Sequence, residues 1–228
     1  MKKTKESLKT QAKNVFKGLK KAYPDIKGFL DFSTPFELLV AVVLSAQCTD
    51  ARVNEVTKTL FRRLKTIKAY AEVELGELED MIHSTGFFRQ KAKSIKNMAV
   101  MVLDKYDGVV PCTMEELVKL PGVGRKTANV VLGQVFGVPG LPVDTHVIRV
   151  TNRLGLTSQS DPEKIEAELC EILPKKNWSE FSLLLISHGR QICGARKPLC
   201  DKCGIRKECS TTHKYSTAGI FRTATYPS

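Results

Sequence analysis

The sequence predicts an all-α protein. Apolar residues recur at helical spacing along nearly the whole chain. Strand-like candidates are confined to short runs such as Val109 to Pro111. Helix-start signals stand ahead of several of the apolar runs, with Ser, Thr or Asp followed by Pro or by an acid three residues on.

The opening stretch, "MKKTKESLKTQAKNVFKGLKKAYPDIK", is basic and lacks the apolar core and small-residue cleavage site of a secretory signal. Pro35 follows Ser33 and Thr34 and opens "PFELLVAVVLSAQ", which is almost wholly apolar and therefore belongs in the middle of a core. Amphipathic segments follow, among them Ala51 to Leu64 and Leu75 to Ile82. Thr113 with Glu116 has capping-box spacing ahead of a helix that Pro121-Gly122 ends. The next helix starts at about Arg125 and places Ala128, Leu132 and Val135 on one stripe. The span from Thr113 to Phe136 thus reads as helix, a hairpin "PGVGR", helix. Further helices are expected over Thr145 to Leu154, after Ser160-Asp161, and over Trp178 to His188. Ser210 to Ser228 is polar, carries no acid and is expected to form a mobile tail.

Composition narrows the class of partner. The 228 residues include 36 Lys+Arg against 24 Asp+Glu, a formal charge of +12 that favours polyanions and makes any nucleic-acid affinity steeply salt-dependent. No apolar run reaches the roughly 18 residues a membrane span needs, so no membrane partner is expected, and a cytoplasmic protein is. Of seven cysteines, Cys48, Cys112 and Cys170 are scattered singly and read as buried free thiols. A disulfide framework does not suit a basic chain without a secretory signal.

The remaining four, Cys193, Cys200, Cys203 and Cys209, have the spacing C-x6-C-x2-C-x5-C. Four such thiols point to a metal site, and spacing alone leaves both zinc and an iron-sulfur cluster open. Arg196 and Lys197 lie between the first two cysteines, on a loop that a metal would pin; they are either solvated surface charge or phosphate contacts. In the hairpin, Gly122 and Gly124 flank Val123, so that successive backbone N–H groups can converge on an anion at the start of the following helix.

Arg125 and Lys126 stand at that same helix start, where the dipole disfavours cations by roughly 0.3–1 kcal/mol. Dipole, neighbouring charge and overall field all disfavour protonated Lys126, and a lysine with a lowered pKa is a nucleophile. Asp144 precedes a helix start in "LPVDTHVIRVTNR". It is either an ordinary N-cap or a carboxylate that assists the amine and stabilises a cationic sugar. His83, His146, His188 and His213 suggest no site by spacing, and a structural, hydrogen-bonded role is expected for His146 and His188.

Taken together, "LSAQCTD", "STGFFRQKA", "LPGVGRKTANVVL", "VDTHVIRVTNR" and the cysteine set resemble the endonuclease III family, over about Phe29 to Cys209. These are DNA glycosylases and abasic-site lyases of the helix-hairpin-helix superfamily. The resemblance implies a two-lobed all-α glycosylase fold. A six-helix barrel would span residues 27–137, and residues 1–26 and 138–209 would form a [4Fe-4S] lobe, with a DNA-binding cleft between the two. It implies that Lys126 is the nucleophile, Asp144 the catalytic carboxylate and the four cysteines the cluster ligands, which favours iron over zinc. Gly122 and Gly124 would grip a phosphate; Gln47 would enter the space left by an extruded nucleotide, and Phe87 would wedge in from the opposite side. The implied substrate is double-stranded DNA with damaged pyrimidines or abasic sites, bound by a monomer at the nucleoid.

The chain departs from the family pattern at Phe87-Phe88, where Leu-Tyr is expected, and at Cys48, where a small residue is expected. A monofunctional mismatch glycosylase would lack Lys126. A non-catalytic cluster protein would need neither Lys126 nor Asp144.

Overall fold

The computed structural model describes residues 3–211, all of them helical or irregular, with no strand among the described residues. Residues 212–228, which include most of the expected tail and His213, lie outside them. The chain divides into two compact units: Lys27–Pro142, and a discontinuous one formed by Met1–Ile26 with Val143–Ser228.

In the continuous unit, α2 (Pro35–Ser45) is the central element, with Leu38, Leu39, Val40 and Ala41 all fully buried. Pro35 sits in its first turn and Thr34 accepts from the Glu37 N–H, so the start signal read from sequence is the cap itself. Around it pack α3 (Asp50–Arg63), α6 (Phe88–Tyr106) and α8 (Arg125–Val135), while α4 (Ile67–Glu72) and α5 (Leu75–Ile82) lie on α6. Each α2 leucine buried here is worth roughly 1.5–3 kcal/mol over its exposed state.

The helix after Thr113 is a single turn, α7 (Met114–Leu117), capped by the Thr113 hydroxyl. Val109 to Pro111 does not form a strand; Val110 turns into the core and Val109 outward. Residues 138–142, grouped by the sequence reading with the cysteine lobe, pack in this unit. The Val138 N–H reaches the Leu132 carbonyl at 3.0 Å, and Gly140 lies against the Asn129 side chain. Cys112 is exposed rather than buried, because it follows Pro111 in the turn that leads to the Thr113 cap; Cys48 and Cys170 are half-buried.

In the other unit, α1 (Lys5–Ala22) packs against α10 (Pro162–Ile172) and α11 (Trp178–Gln191), and α11 packs on α9 (Thr145–Leu154). Gln11 is buried and ties the ends together: its Nε2 donates to the Leu154 carbonyl at 2.8 Å and to the Glu208 carbonyl at 2.6 Å. Gly18 permits close approach, since a Cβ there would lie 2.6 Å from the Ile205 side chain. The expected tail begins later than Ser210. The Ser210 and Thr211 hydroxyls donate to the Leu154 and Arg153 carbonyls at 2.8 and 3.1 Å and fasten the chain to the end of α9.

Candidate active site and cysteine pocket

The hairpin is built by burial on one side and glycine on the other. Val123 is 6% exposed and anchors the turn in the core, and its N–H is taken by the Leu120 carbonyl at 3.0 Å. Val123 therefore offers an anion neither its side chain nor its amide, which corrects the expectation that it joins a run of converging donors. Gly122 has φ +80, and a Cβ there would sit 3.0 Å from the Ser94 Cβ of α6. Gly124 is the N-cap of α8, makes no side-chain cap and faces open space. The first turn of α8 thus presents its amide end to solvent behind a turn with no side chain in the way. Arg125 and Lys126 occupy that turn, both exposed.

Gln47 and Phe87 lie in the same unit, each in a tight turn and each in the left-handed region, with φ 52 and φ 48. Both are exposed, Phe87 by 67%. Phe88 turns the other way, half-buried against the core, with its ring tilted 45° to that of His83 and the centroids 4.4 Å apart. Of the adjacent phenylalanines, one is structural and one projects.

In the discontinuous unit, Asp144 is the N-cap of α9 and also more than a cap. Its Oδ1 accepts from the His146 and Val147 amides at 2.8 and 2.9 Å, which fixes the carboxylate plane. Its Oδ2 lies 3.0 Å from His146 Nδ1, and the side chain is 11% exposed. His146 is structural in the sense expected, but its partner is the candidate catalytic carboxylate. Only the i, i+2 spacing after a cap could have signalled that.

The four cysteines line one pocket, walled by Val150, Leu154, Ile192 and Ile205. Arg153 reaches across it: one guanidinium nitrogen is 3.3 Å from Cys193 Sγ and donates to the Gly194 carbonyl at 2.7 Å, and the other donates to the Ala195 carbonyl at 2.7 Å. Arg149 adds bonds to the Cys193 and Gly189 carbonyls at 3.2 and 2.9 Å. These arginines hold the loop from Cys193 to Cys200, from which Arg196 and Lys197 project into solvent. Sequence reasoning missed both, because their partners are carbonyls some 40 positions away.

Burial pushes the Cys200 thiol up, as do the neighbouring Cys193 and Cys209, against the pull of Arg153 and Arg206. Burial likewise raises Cys203. His188, 3% exposed, is held neutral by burial, which brings its pKa down to about 4. Its ring stands 3.5 Å from Cys203 Sγ on one side and 3.4 Å from the Tyr23 hydroxyl on the other.

Residues 40–175 match the model of the HhH-GPD superfamily of base excision DNA repair proteins. That match defines the class to which hairpin and helices belong. The chain is 50% identical to an endonuclease III of Synechocystis over 89% of its own length and 93% of that protein's. It is 47% identical to an endonuclease III of Bacillus subtilis over 88% and 92%. It also superposes with a TM-score of 0.86 on a trapped endonuclease III–DNA covalent intermediate, an estranged-adenine complex. That structure is 47% identical, and the match covers 90% of this chain and 97% of the other. The chain belongs to the endonuclease III family.

Proposed function

We propose that the chain is a DNA glycosylase and abasic-site lyase that removes oxidised pyrimidines from double-stranded DNA, with Lys126 as its nucleophile. The observation that carries this reading is the position of Lys126. It is exposed in the uncapped first turn of α8, directly behind the glycine hairpin. The solved relative at 47% identity was trapped as a covalent DNA intermediate, and a covalent intermediate requires a protein nucleophile.

Extrusion of the damaged nucleotide comes first, at an unstacking cost of a few kcal/mol that is least for poorly stacked bases. Gln47 fills the vacated space and Phe87 wedges the duplex. The amide end of α8, Gly122, Gly124 and Arg125 hold a backbone phosphate, and Arg196 and Lys197 contact others. The neutral Lys126 amine attacks C1′ of the sugar with its lone pair. The base departs with the bonding electrons and takes up a proton, and the amine loses one. The nitrogen lone pair then opens the C1′–O4′ bond, O4′ takes up a proton, and a Schiff base is left, from which loss of a C2′ proton expels the 3′ phosphate by β-elimination. Asp144 stabilises the sugar cation and assists the proton transfers, with its carboxylate plane held by the two amides it caps.

The donor set fits a [4Fe-4S] cluster: four thiols face one apolar-walled pocket, with Arg153 beside Cys193 to offset negative charge. Cys193, Cys200, Cys203 and Cys209 would hold the cluster, which would supply a cross-link between loop and helices rather than a step of the reaction. Its binding would displace thiol protons, against the burial that raises Cys200 and Cys203. The protein acts as a monomer on DNA of the nucleoid. Among the described residues, no helix is long and apolar enough to cross a membrane.

Borohydride trapping tests the reading on a duplex with one oxidised pyrimidine. Wild type should form a covalent adduct and Lys126→Gln should form none. Free base released without an adduct would mean that water is the nucleophile.

A further inference from the structure

The left-handed turns at Gln47 and Phe87 share an anchor. Lys91, on the first turns of α6, is 5% exposed, and its Nζ donates to the Leu44 carbonyl and to the Thr85 carbonyl, both at 2.8 Å. Leu44 lies three residues before Gln47, and Thr85 two residues before Phe87. Burying an ammonium is costly, and burial lowers this lysine's pKa against a smaller opposing effect of Cys48. Leucine or methionine would fill the same space at no such cost, so the charge is there for its donors.

Those donors complete the end of α2. Of its last carbonyls, Val42 accepts from the Ser45 hydroxyl, Val43 from the Ala46 amide and Ser45 from the Cys48 amide, all local. Leu44 is the one satisfied from another helix, and a cation there also meets the negative end of the α2 dipole. Gln47 and Phe87 are two of three non-glycine residues with positive φ among the described residues. Such conformations persist where the surroundings over-determine them.

We infer that Lys91 is a positioning residue for base extrusion. It clasps the turn after α2 to the turn before α6, and so sets the span between Gln47 and Phe87 before DNA arrives. The inference rests on the reading of those two residues as the ones that enter the duplex. One helical turn on, Ser94 of α6 lies under Gly122, so the same helix face also seats the hairpin. Lys91 touches no DNA; its effect is preorganisation, which appears in the distorted complex and not in docking.

The test compares binding of the full-length, cluster-loaded protein to two duplexes. One carries a tetrahydrofuran abasic analogue opposite 2-aminopurine, and the other is undamaged. Wild type should prefer the first and brighten the 2-aminopurine as it is estranged. Lys91→Met should lose about ten- to a hundredfold of that preference, and most of the brightening, with affinity for undamaged duplex unchanged. Lys91→Gln keeps two donors, should fall between, and is read instead if Lys91→Met does not fold. Combining Lys91→Met with Gln47→Ala should cost less than the two losses multiplied, because one acts through the other.

Gln47→Ala and Phe87→Ala run alongside. If they lose the preference and both Lys91 variants keep it, the clasp is overturned. An equal loss of affinity for both duplexes in the Lys91 variants would mark general structural damage and also overturn it. If neither Gln47→Ala nor Phe87→Ala alters the preference, the reading of those two residues fails, and the inference falls with it.

Discussion

At Asp144 one side chain carries a helix and a charge, and the two can be separated. Oδ1 caps α9 through two amides, a role asparagine fills about as well as aspartate. Asp144→Asn should therefore melt within about 0.5 kcal/mol of wild type while single-turnover base release falls by about two orders of magnitude or more. Asp144→Ala should lose the activity and about 1 kcal/mol of stability as well. If Asp144→Asn keeps full base release, the carboxylate is a cap and nothing else. The sequence left these roles as alternatives because a cap position and a catalytic position look alike in one dimension. With Oδ1 fixed by the cap and Oδ2 turned to His146, the two roles are compatible in one residue.

The hairpin, as an element, divides its two glycines by task. Gly122 combines φ +80 with a neighbour a Cβ would meet at 3.0 Å, so Gly122→Ala should cost about 1 kcal/mol or more. Gly124 has φ −94 and open space around it, so Gly124→Ala should unfold within about 0.5 kcal/mol of wild type yet bind duplex DNA more weakly, as its methyl meets the phosphate. Denaturant midpoints and DNA titrations of the pair would decide it; loss of stability at both glycines would make the turn purely structural. Element boundaries were legible where a side chain makes the cap, as at Thr34, Thr113, Asp144 and Asp161. The start of α6 carries no such mark, because Phe87 precedes it in a left-handed conformation with no side-chain cap. The Lys91 clasp was illegible for a different reason: one of its acceptors is a backbone carbonyl 47 positions away, and a carbonyl has no residue type.

For the molecule as a whole, the discontinuous unit is the one that depends on its pocket. Anaerobically prepared protein should carry about four iron per chain. Removing the iron should speed amide exchange in α1, α9 and α11, while α2 and α6 of the other unit keep their protection. The reasons are local. The chain through the cysteines is fastened by Gln11, Arg149 and Arg153 to the helices of its own unit, and all four cysteines line one pocket among those helices. Stoichiometric zinc without iron, or protection lost equally in both units, would contradict this account.

The closure of α1 onto the end of the chain also has a consequence in time. Ala12, Val15 and Leu19 are covered in the finished protein, and Gln11 bonds to Leu154 and Glu208. The ribosome makes that helix well before its partners α10 and α11. At roughly 5–20 residues per second, the interval from Leu19 to the first residue of α10, Pro162, is roughly seven to thirty seconds. Until α10 and α11 emerge the helix lacks the surfaces of its own unit on which it lies, and a nascent chain stalled before Pro162 displays a greasy, basic helix to every chaperone and protease within reach.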